Sequence, residues 1–400
     1  MSTALSHISP STVRASLARG AVGRLQTRYD ELNGQHNDFP SFVLTLDDGT
    51  THRLGDGVAV FEVRVHDGRG LAALAMLDET RVAEALMAGS IDIEGEMLEV
   101  LRLRPLLGDR HTVQAYWFKK LRPLMFGQAR SDEKWIAQHY DEDADFYELF
   151  LDSRRCYSQG IFEAEDESLD DAMLRKLDFA LDAVQVRPGQ RLLDIGAGWG
   201  TMVEHAGRRG IDVTSLTISE PSERYVNDLI AKEQLPCRVV RRHFHEYESE
   251  ERFDAIVNLG VTEHLPDYAT SLAQYGRLLK PGGRVYLDAS ASPTKYPTGS
   301  FTYRYIYPGN GSPLCLHDYL AAVAETDFEI LAVHNDRHSY ELTCRRWAES
   351  IERHRDEIVQ RWGNALYRRF QLYLWGCVDV FSRGEFGAYR VILELPARTA

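Results

Sequence analysis

Leu192-Leu-Asp-Ile-Gly-Ala-Gly-Trp-Gly200 is the stretch of this 400-residue chain that decides the fold. Its apolar run ends at Ile195, and the alternate glycines that follow predict a strand, a tight turn and the start of a helix. The GxGxG spacing departs from that of dinucleotide sites, and no Lys-Ser or Lys-Thr pair follows to bind phosphate. Asp194, two residues before the first glycine, suits a cationic or polar ligand better than a pyrophosphate. The alternative is that the glycines only form a structural turn.

Strands and helices alternate on both sides of this turn. We predict helices at 169–184, 202–209, 221–233 and 268–279, and strands at 191–195, 213–217, 238–241, 255–259 and 284–287. Helices and strands that alternate at this length predict an α/β fold with a parallel, doubly wound sheet. Ligands of such a sheet bind beyond the carboxyl ends of its strands. A long helical tail rich in Trp and Tyr is predicted from 343 to 381.

The preceding part of the chain has a different pattern. Alternating apolar residues at 42–46 and 58–65 lie on either side of Asp47-Asp-Gly-Thr50, which predicts strands joined through a turn. A short helix is predicted at 78–88. These elements indicate a small α+β module.

Composition and charge exclude several classes of function. The chain has 46 Lys and Arg against 60 Asp and Glu, a net charge of −14, which repels polyanions, so we predict no nucleic-acid binding. Its 5 cysteines are far apart and include no CxxC pair, which argues against a disulfide scaffold and against a metal site. The apolar run at 71–77 is too short to span a bilayer, and no signal peptide is evident. We therefore expect a cytoplasmic protein.

Several motifs taken together resemble the class I S-adenosylmethionine-dependent methyltransferases, and more narrowly the cyclopropane fatty acid synthase and mycolic acid cyclopropane synthase group. That group shares a DIGCGWG loop, a TIS strand end, an FEH segment, a YSC segment before the domain, and a spaced tyrosine and tryptophan. The matching stretches here are 192–200, Thr217-Ile-Ser219, Phe253-Asp-Ala-Ile-Val-Asn-Leu-Gly-Val-Thr-Glu-His264, Leu278-Leu-Lys-Pro-Gly-Gly283, Tyr340 and Trp347. The resemblance runs from about 139 to 381, and the preceding module is similar to the amino-terminal domain of the bacterial synthases.

The resemblance implies S-adenosylmethionine as the cofactor and implies its contacts. The methionine part would lie at Asp194, Gly196, Gly198 and Trp199, the ribose near Thr217, Ser219 and Ser222, the adenine at Phe244, with Tyr157 and Ser158 also at the cofactor. Trp199 could instead only anchor the core, and Phe244 could be a packed residue at a strand end. His243 replaces an acid that is often found at its position.

The resemblance also implies a proton-removing site, and this chain departs from it. In the synthases that role is assigned to a bicarbonate held by the Cys of YSC, the Glu of FEH, a later His and the distant Tyr. Glu263 and Tyr340 match, but Gln159 stands at the Cys position and Asp288 at the His position. A carboxylate would repel bicarbonate, so we hypothesise that Asp288, alone or with Glu263, is the base. The alternative is that Asp288 caps a loop.

The activity that the resemblance implies is methylation of the double bond of an unsaturated fatty acyl chain, in a phospholipid. The product would be a cyclopropane or a methyl- or methylene-branched chain. One alternative is a methyltransferase of a soluble amine or natural product, and another is an inactive homologue that binds lipid or cofactor. Aromatic residues alternate from Phe301 to Tyr307, which indicates a strand that either walls an acyl tunnel or is an ordinary half-buried strand.

Three regions are predicted. Residues 1–125 form the α+β domain, 126–168 a helical linker and active-site lid, and 169–400 the methyltransferase domain with its aromatic helical end. Lys119, Lys120 and Arg122 belong to a basic segment interleaved with aromatic and aliphatic residues, which predicts peripheral contact with an anionic membrane surface. The alternative for this segment is a connecting helix that packs on the core. The amino-terminal domain could present substrate, form a homodimer or brace the catalytic domain.

Overall fold

The computed structural model describes residues 10–34, 38–109, 144–297, 299–307 and 311–397. The packing of the chain divides it into two compact units. The first unit comprises Met1–Thr112 and Ile351–Gly376, and the second comprises Val113–Ser350 and Cys377–Ala400.

The first unit contains a four-stranded sheet with the order β2-β1-β3-β4. Its elements are α1 (Pro10–Leu32), β1 (Phe42–Thr45), β2 (Thr51–Leu54), β3 (Phe61–Val65), α2 (Gly68–Met76), α3 (Glu79–Met87), β4 (Ile91–Gly95) and α4 (Met97–Leu101). Alternate side chains of the strands face the core, where Phe42 stacks on Phe61 with ring centroids 5.1 Å apart. The strands predicted at 42–46 and 58–65 and the short helix are confirmed, but the turn at 47–50 joins β1 to β2, a strand that was not predicted, and β1 pairs with β3 in parallel.

Part of the helical tail packs with this first unit. The tail consists of α12 (Arg337–Arg353), α13 (Arg355–Trp362) and α14 (Asn364–Ser382), so the predicted helical tail is confirmed. Leu372 packs against the core of the first unit, and Arg368 pairs with Asp92. The sequence analysis placed all of 169–400 in one domain, whereas the structure groups 351–376 with the amino-terminal elements. No break in composition marks residue 351, because amphipathic helices carry no sign of which core they will cover.

The second unit contains a seven-stranded sheet with the order β10-β11-β9-β8-β5-β6-β7. Its strands are β5 (Arg191–Ile195), β6 (Asp212–Thr217), β7 (Cys237–Arg241), β8 (Phe253–Leu259), β9 (Leu279–Ala291), β10 (Glu329–Asn335) and β11 (Gly387–Glu394). Its helices besides α12 are α5 (Ala144–Glu148), α6 (Leu169–Val184), α7 (Thr201–Gly207), α8 (Glu220–Glu233), α9 (Tyr268–Leu278), α10 (Ser300–Tyr305) and α11 (Leu316–Ala324).

The sheet is doubly wound, as predicted, but it is not wholly parallel. Strands β5 to β9 pair in parallel, whereas β11 lies antiparallel to both β9 and β10. The strand order reverses at β5, which lies between β6 and β8. This reversal opens a crevice at the carboxyl end of β5, where Gly196 follows the strand.

Two further predictions meet the structure differently. The segment with alternating aromatic residues is the helix α10 rather than a strand, and the rings of Phe301 and Tyr305 lie 5.7 Å apart. The strand prediction was wrong because aromatic residues at alternate positions also stand four residues apart, which is the spacing of one helix face. The basic segment with Lys119, Lys120 and Arg122 lies outside the described residues. Within the described ranges, no helix is both long enough and apolar enough to cross a membrane.

Candidate active site

The glycine turn after β5 forms an open cradle. Gly196, Gly198 and Gly200 have φ angles of +92°, +50° and +80°, in the left-handed region that favours glycine. A Cβ atom on Gly196 would lie 2.3 Å from Cγ2 of Val261, whereas one on Gly198 would have no atom within 4 Å. The backbone at Gly198 therefore faces open space in which a ligand can approach it closely.

A pocket lies at this turn. All of the residues predicted for the cofactor line it, namely Tyr157, Ser158, Asp194, Gly196, Gly198, Trp199, Thr217, Ser219, Ser222 and Phe244. They meet because parallel strands end at the same edge of a sheet, so the segments after β5, β6 and β7 converge there. Arg155 and Cys156 also line the pocket and were not predicted.

Asp194 gives the pocket a buried acid. It is 2% exposed, and its Oδ2 accepts a hydrogen bond from Oγ of Ser215 at 2.5 Å. Burial raises the pKa of its carboxyl to about 7. A cationic ligand nearby would favour the ionised form, so the pocket suits a ligand that carries an ammonium or a sulfonium.

The three predicted hydroxyl residues connect the start of α8 to the glycine turn. Thr217 Oγ1 accepts the N–H of Ser219 at 3.1 Å, and Ser219 Oγ accepts the N–H of Ser222 at 3.3 Å as the helix cap. Ser222 Oγ donates to the carbonyl oxygen of Gly198 at 2.7 Å. Ser222 therefore positions the turn through its side chain.

The two predicted aromatic residues both line the pocket and anchor the core. Trp199 and Phe244 are each 4% exposed. The ring of Trp199 lies 5.4 Å from that of Tyr225, and the ring of Phe244 lies 5.2 Å from that of Tyr275. The ligand-binding and structural interpretations of these residues are thus compatible.

The histidines on either side of Phe244 form hydrogen bonds within the protein. Nδ1 of His243 accepts the N–H of His245 at 3.2 Å, and Nε2 of His245 lies 2.9 Å from Oγ of Ser271. In the part of the chain that the structure describes, the one group spaced to hold a metal is Cys315, His317 and Asp318, of which only Cys315 is buried.

The four residues predicted for catalysis come from different elements of the second unit. Gln159 precedes Gly160, whose N–H donates to Oγ1 of Thr343 at 2.9 Å. Glu263 lies in a short turn after β8, Asp288 on β9 and Tyr340 on α12. We call these four, together with the neighbouring Lys176, the catalytic chamber.

One carboxyl oxygen of Glu263 accepts hydrogen bonds and the other does not. Its Oε1 accepts the N–H and the Oγ hydroxyl of Ser290 at 2.7 and 2.9 Å. Its Oε2 is buried and has no hydrogen-bond partner among the described residues. Burial raises the pKa of Glu263 to about 7, and the charge of Asp288 adds to the shift. This carboxyl can therefore gain and lose a proton near neutral pH.

Asp288 pairs with a lysine that the sequence analysis missed. Nζ of Lys176, on α6, lies 3.2 Å from Oδ2 of Asp288, and both side chains are 0% exposed. The same ammonium lies 3.3 Å from Sγ of Cys156 and donates to Oγ of Ser158. Burial is the largest single influence and would lower the pKa of Lys176, but the interactions with Asp288 and Cys156 together outweigh it and the pKa is raised. Burial raises the pKa of Asp288, and the attraction of Lys176 opposes that rise.

The position of Asp288 excludes the interpretation that it caps a loop. Asp288 lies inside β9, where it pairs in register with Arg390, so the interpretation as a loop cap is wrong.

The signal for Lys176 was present in the sequence, because it occupies the apolar stripe of α6. The buried residues of that stripe are Ala172, Met173, Lys176, Leu177, Ala180, Leu181 and Val184. A lysine in such a stripe requires a buried partner.

Aromatic rings and one amide complete the chamber. Tyr340 stacks on Phe381 at 4.6 Å and lies 6.4 Å from the ring of Trp347, which in turn is 5.3 Å from that of Tyr157. Gln159 is 0% exposed, and both its Oε1 and its Nε2 are without a hydrogen-bond partner in the described structure. Burial raises the pKa of the Tyr340 phenol well above its usual value, and the nearby Glu263 carboxylate contributes.

The residues present do not fit a bound bicarbonate. Asp288 puts a second carboxyl group at a position where the family has a His, and its charge repels an anion. The ammonium of Lys176 is already engaged by Asp288. The pocket does fit S-adenosylmethionine, because its glycine backbone is open and its buried acid, Asp194, suits a cation.

The family of this chain follows from its sequence. The model of the mycolic acid cyclopropane synthetase family matches residues 127–391. The chain belongs to this family. Its members are class I S-adenosylmethionine-dependent methyltransferases, so the chain is such an enzyme, and S-adenosylmethionine is its cofactor. The predicted family, enzyme class and cofactor are confirmed.

Three relatives show the extent of the similarity. Cyclopropane mycolic acid synthase 3 of Mycobacterium tuberculosis is 30% identical over 281 residues, which cover 65% of this chain and 96% of that protein. A sphingolipid C9-methyltransferase of Komagataella phaffii is 27% identical over 335 residues, 78% of this chain and 68% of that protein. The solved cyclopropane synthase MmaA2 from Mycobacterium tuberculosis superposes with a TM-score of 0.61 at 28% identity, covering 65% of this chain and 97% of that one. These matches confirm the methyltransferase fold.

Proposed function

We propose that this enzyme transfers a methyl group to the double bond of an unsaturated fatty acyl chain in a phospholipid. The observation that carries the proposal is the catalytic chamber, where a buried carboxyl with a pKa of about 7 and one open oxygen lies near aromatic rings. An alkene needs no base to become a nucleophile, but it becomes a carbocation once methylated. A chamber that shelters a cation and accepts one proton suits this order of events.

When bound, S-adenosylmethionine would supply an electrophilic methyl group to the alkene. The π electrons of the double bond would form the new carbon–carbon bond as the carbon–sulfur bond breaks with its electrons on sulfur, and the neighbouring chain carbon would be left positive. Loss of a proton from the added methyl group closes a cyclopropane. Loss of a neighbouring chain proton gives a methyl-branched alkene, and loss of a methyl proton after a hydride shift gives an exocyclic methylene. In each case Glu263 Oε2 accepts the proton.

The other residues of the site bind the cofactor and shelter the carbocation. The ring faces of Tyr157, Tyr340 and Trp347 stabilise a cation electrostatically and exclude water from it. In the pocket, Asp194 and the backbone of Gly198 would hold the methionine part of the cofactor. Thr217 and Ser219 would hold its ribose and Phe244 its adenine, and Trp199, Tyr157 and Ser158 would close the remaining sides.

The lipid substrate is supported by the relatives and by charge. Three relatives are named for action on a sphingolipid, a fatty acid and a mycolic acid, all of which carry long alkyl chains. A net charge of −14 disfavours a polyanionic substrate. Peripheral binding to a membrane through Lys119, Lys120 and Arg122 stays a prediction, since those residues lie outside the described ranges.

The substrate class can be tested by measuring which of several acceptors receives a labelled methyl group. Purified enzyme with methyl-labelled cofactor is offered vesicles of a monounsaturated phospholipid, vesicles of its saturated counterpart, or a panel of soluble amines. We expect label in the acyl chains of the unsaturated lipid alone. Label in an amine with none in the lipid would overturn the proposal, and label in the saturated lipid would show that the double bond is not the acceptor.

The rate of methyl transfer should depend on pH through Glu263. The base must be ionised, so kcat should fall about tenfold per pH unit below a midpoint near 7 and level off above it. The charged group that raises the pKa of Glu263 is Asp288 of β9, while the neighbouring phenols of Tyr340 and Tyr268 have raised pKa values and stay neutral in this range. Initial rates at saturating cofactor isolate this effect from that of Asp194, which acts on cofactor binding. A kcat that stays constant from pH 5.5 to 8.5 would exclude Glu263 as the base.

A further inference from the structure

We propose that Lys176 and Asp288 form a permanent charge pair that takes the place of a bound anion in the catalytic chamber, so that Glu263 alone accepts the proton. The inference rests on the proposed function and deepens it. It assigns different tasks to two neighbouring carboxyl groups: Asp288 keeps a fixed negative charge near the developing cation, and Glu263 takes part in proton transfer.

The contacts of Lys176 carry the first step. An ammonium has three N–H donors. Those of Lys176 are directed to Oδ2 of Asp288, Oγ of Ser158 and Sγ of Cys156. The side chain is 0% exposed, so water cannot compete for these donors. Lys176 therefore holds the Asp288 carboxylate and has no N–H left for a free anion.

The surroundings of the two carboxyl groups differ, which indicates that Glu263 rather than Asp288 accepts the proton. Glu263 accepts hydrogen bonds from Ser290 and from its own backbone N–H, and no lysine or arginine of the described chain forms an ion pair with it. Its open oxygen can therefore accept a proton without breaking an ion pair. Asp288 would have to give up its attraction to Lys176 to do the same. Two carboxyl groups with such different surroundings have different roles.

The Lys176–Asp288 pair lies next to the cofactor pocket. Cys156 and Ser158, which both contact Lys176, also line the cofactor pocket. The second oxygen of Asp288, Oδ1, is buried and has no hydrogen-bond partner in the described part of the chain. The pair therefore lies at the border between the cofactor pocket and the chamber. There a fixed negative charge favours the passage of positive charge from the sulfonium to the acyl chain.

Chemical rescue tests the pair. Asp288→Ala removes the carboxylate and leaves the ammonium of Lys176 beside a gap that formate can fill. Without formate, we expect kcat for lipid methylation to fall about 10²-fold. Formate should raise the kcat of the Asp288→Ala variant at least about tenfold. It should not raise the kcat of the double variant Asp288→Ala/Lys176→Met. The wild-type enzyme should be indifferent to removal of bicarbonate.

Controls separate this role from a structural one. Lys280→Met breaks a pair between an exposed lysine and a partly buried acid, in which Nζ lies 2.8 Å from Oδ1 of Asp254, and should leave kcat and formate dependence unchanged. Asp288→Asn keeps the shape of the side chain and should move the pH midpoint of kcat below 7, because the charge of Asp288 raises the pKa of Glu263. A midpoint that does not move, or formate rescue that is equal with and without Lys176, would overturn the proposal.

Failure of the wild-type enzyme to label any lipid would count against the proposed function, and the pair can then be judged by stability. Lys176→Met leaves a buried carboxylate without its partner, so the Tm should drop, and Asp288→Asn in the same chain should recover part of the drop. A Tm for Lys176→Met equal to that of the wild type would contradict the pair.

Discussion

Glu263→Gln is expected to lower kcat for methyl transfer by about 10²- to 10⁴-fold, the range in which a general base contributes. Glutamine keeps the shape of the side chain and can still accept from Ser290 through its amide oxygen, but it cannot take a proton from the carbocation. The pocket that binds the cofactor is lined by other residues, so Kd for the cofactor should stay within about twofold of the wild-type value.

The measurement pairs single-turnover kinetics on unsaturated lipid with calorimetric titration of the cofactor. Glu325→Gln, at an exposed position after α11, is the matched control and should behave as the wild type. If Glu263→Gln retained more than about a tenth of wild-type kcat, the proton would have to leave by another group, and the base would have to be reassigned.

Gly196→Ala is expected to weaken cofactor binding by about 10²-fold or more. A non-glycine residue at a φ of +92° is strained by about 1–2 kcal/mol. In addition, the new Cβ would lie 2.3 Å from Cγ2 of Val261, and valine cannot rotate away cheaply because its side chain is stiff at χ1. The turn must therefore shift, and the backbone cradle at Gly198 shifts with it.

Two matched variants make this prediction specific. Gly384→Ala introduces the same kind of strain, at a φ of +69°, where a Cβ meets no atom within 4 Å, and it should leave cofactor binding unchanged. Val261→Ala in the Gly196→Ala chain removes the clash and should recover part of the affinity. If Gly196→Ala bound the cofactor as tightly as the wild type, the turn would not be the cradle.

Sequence periodicity predicted the parallel part of the sheet because each strand there is an apolar run followed by a helix. It did not reveal that β11 lies antiparallel between β9 and β10, since an apolar run carries no sign of direction. The cofactor pocket could be predicted because its residues follow the carboxyl ends of parallel strands, which must meet at one edge. The rings of α10 were assigned to a strand because two- and four-residue spacings coincide in a short segment.

The catalytic chamber was predicted only in part. Glu263, Gln159, Asp288 and Tyr340 were found as substitutions or matches within family motifs. The partner of Asp288 was not, because Lys176 lies in another element and its contact depends on how α6 packs on β9. Periodicity shows that a lysine is buried, but only the packed structure shows which acid it meets.

The most direct test of the account uses trideuteromethyl-labelled S-adenosylmethionine, vesicles of a monounsaturated phospholipid and mass analysis of the released acyl chains. We expect the label to enter the acyl chain. A gain of CD2 would mean that a methyl proton was removed, with hydrogenation then separating a ring from a methylene. An intact CD3 group would mean that a chain proton was removed. Acyl chains without deuterium, from enzyme that has bound its cofactor, would contradict the account.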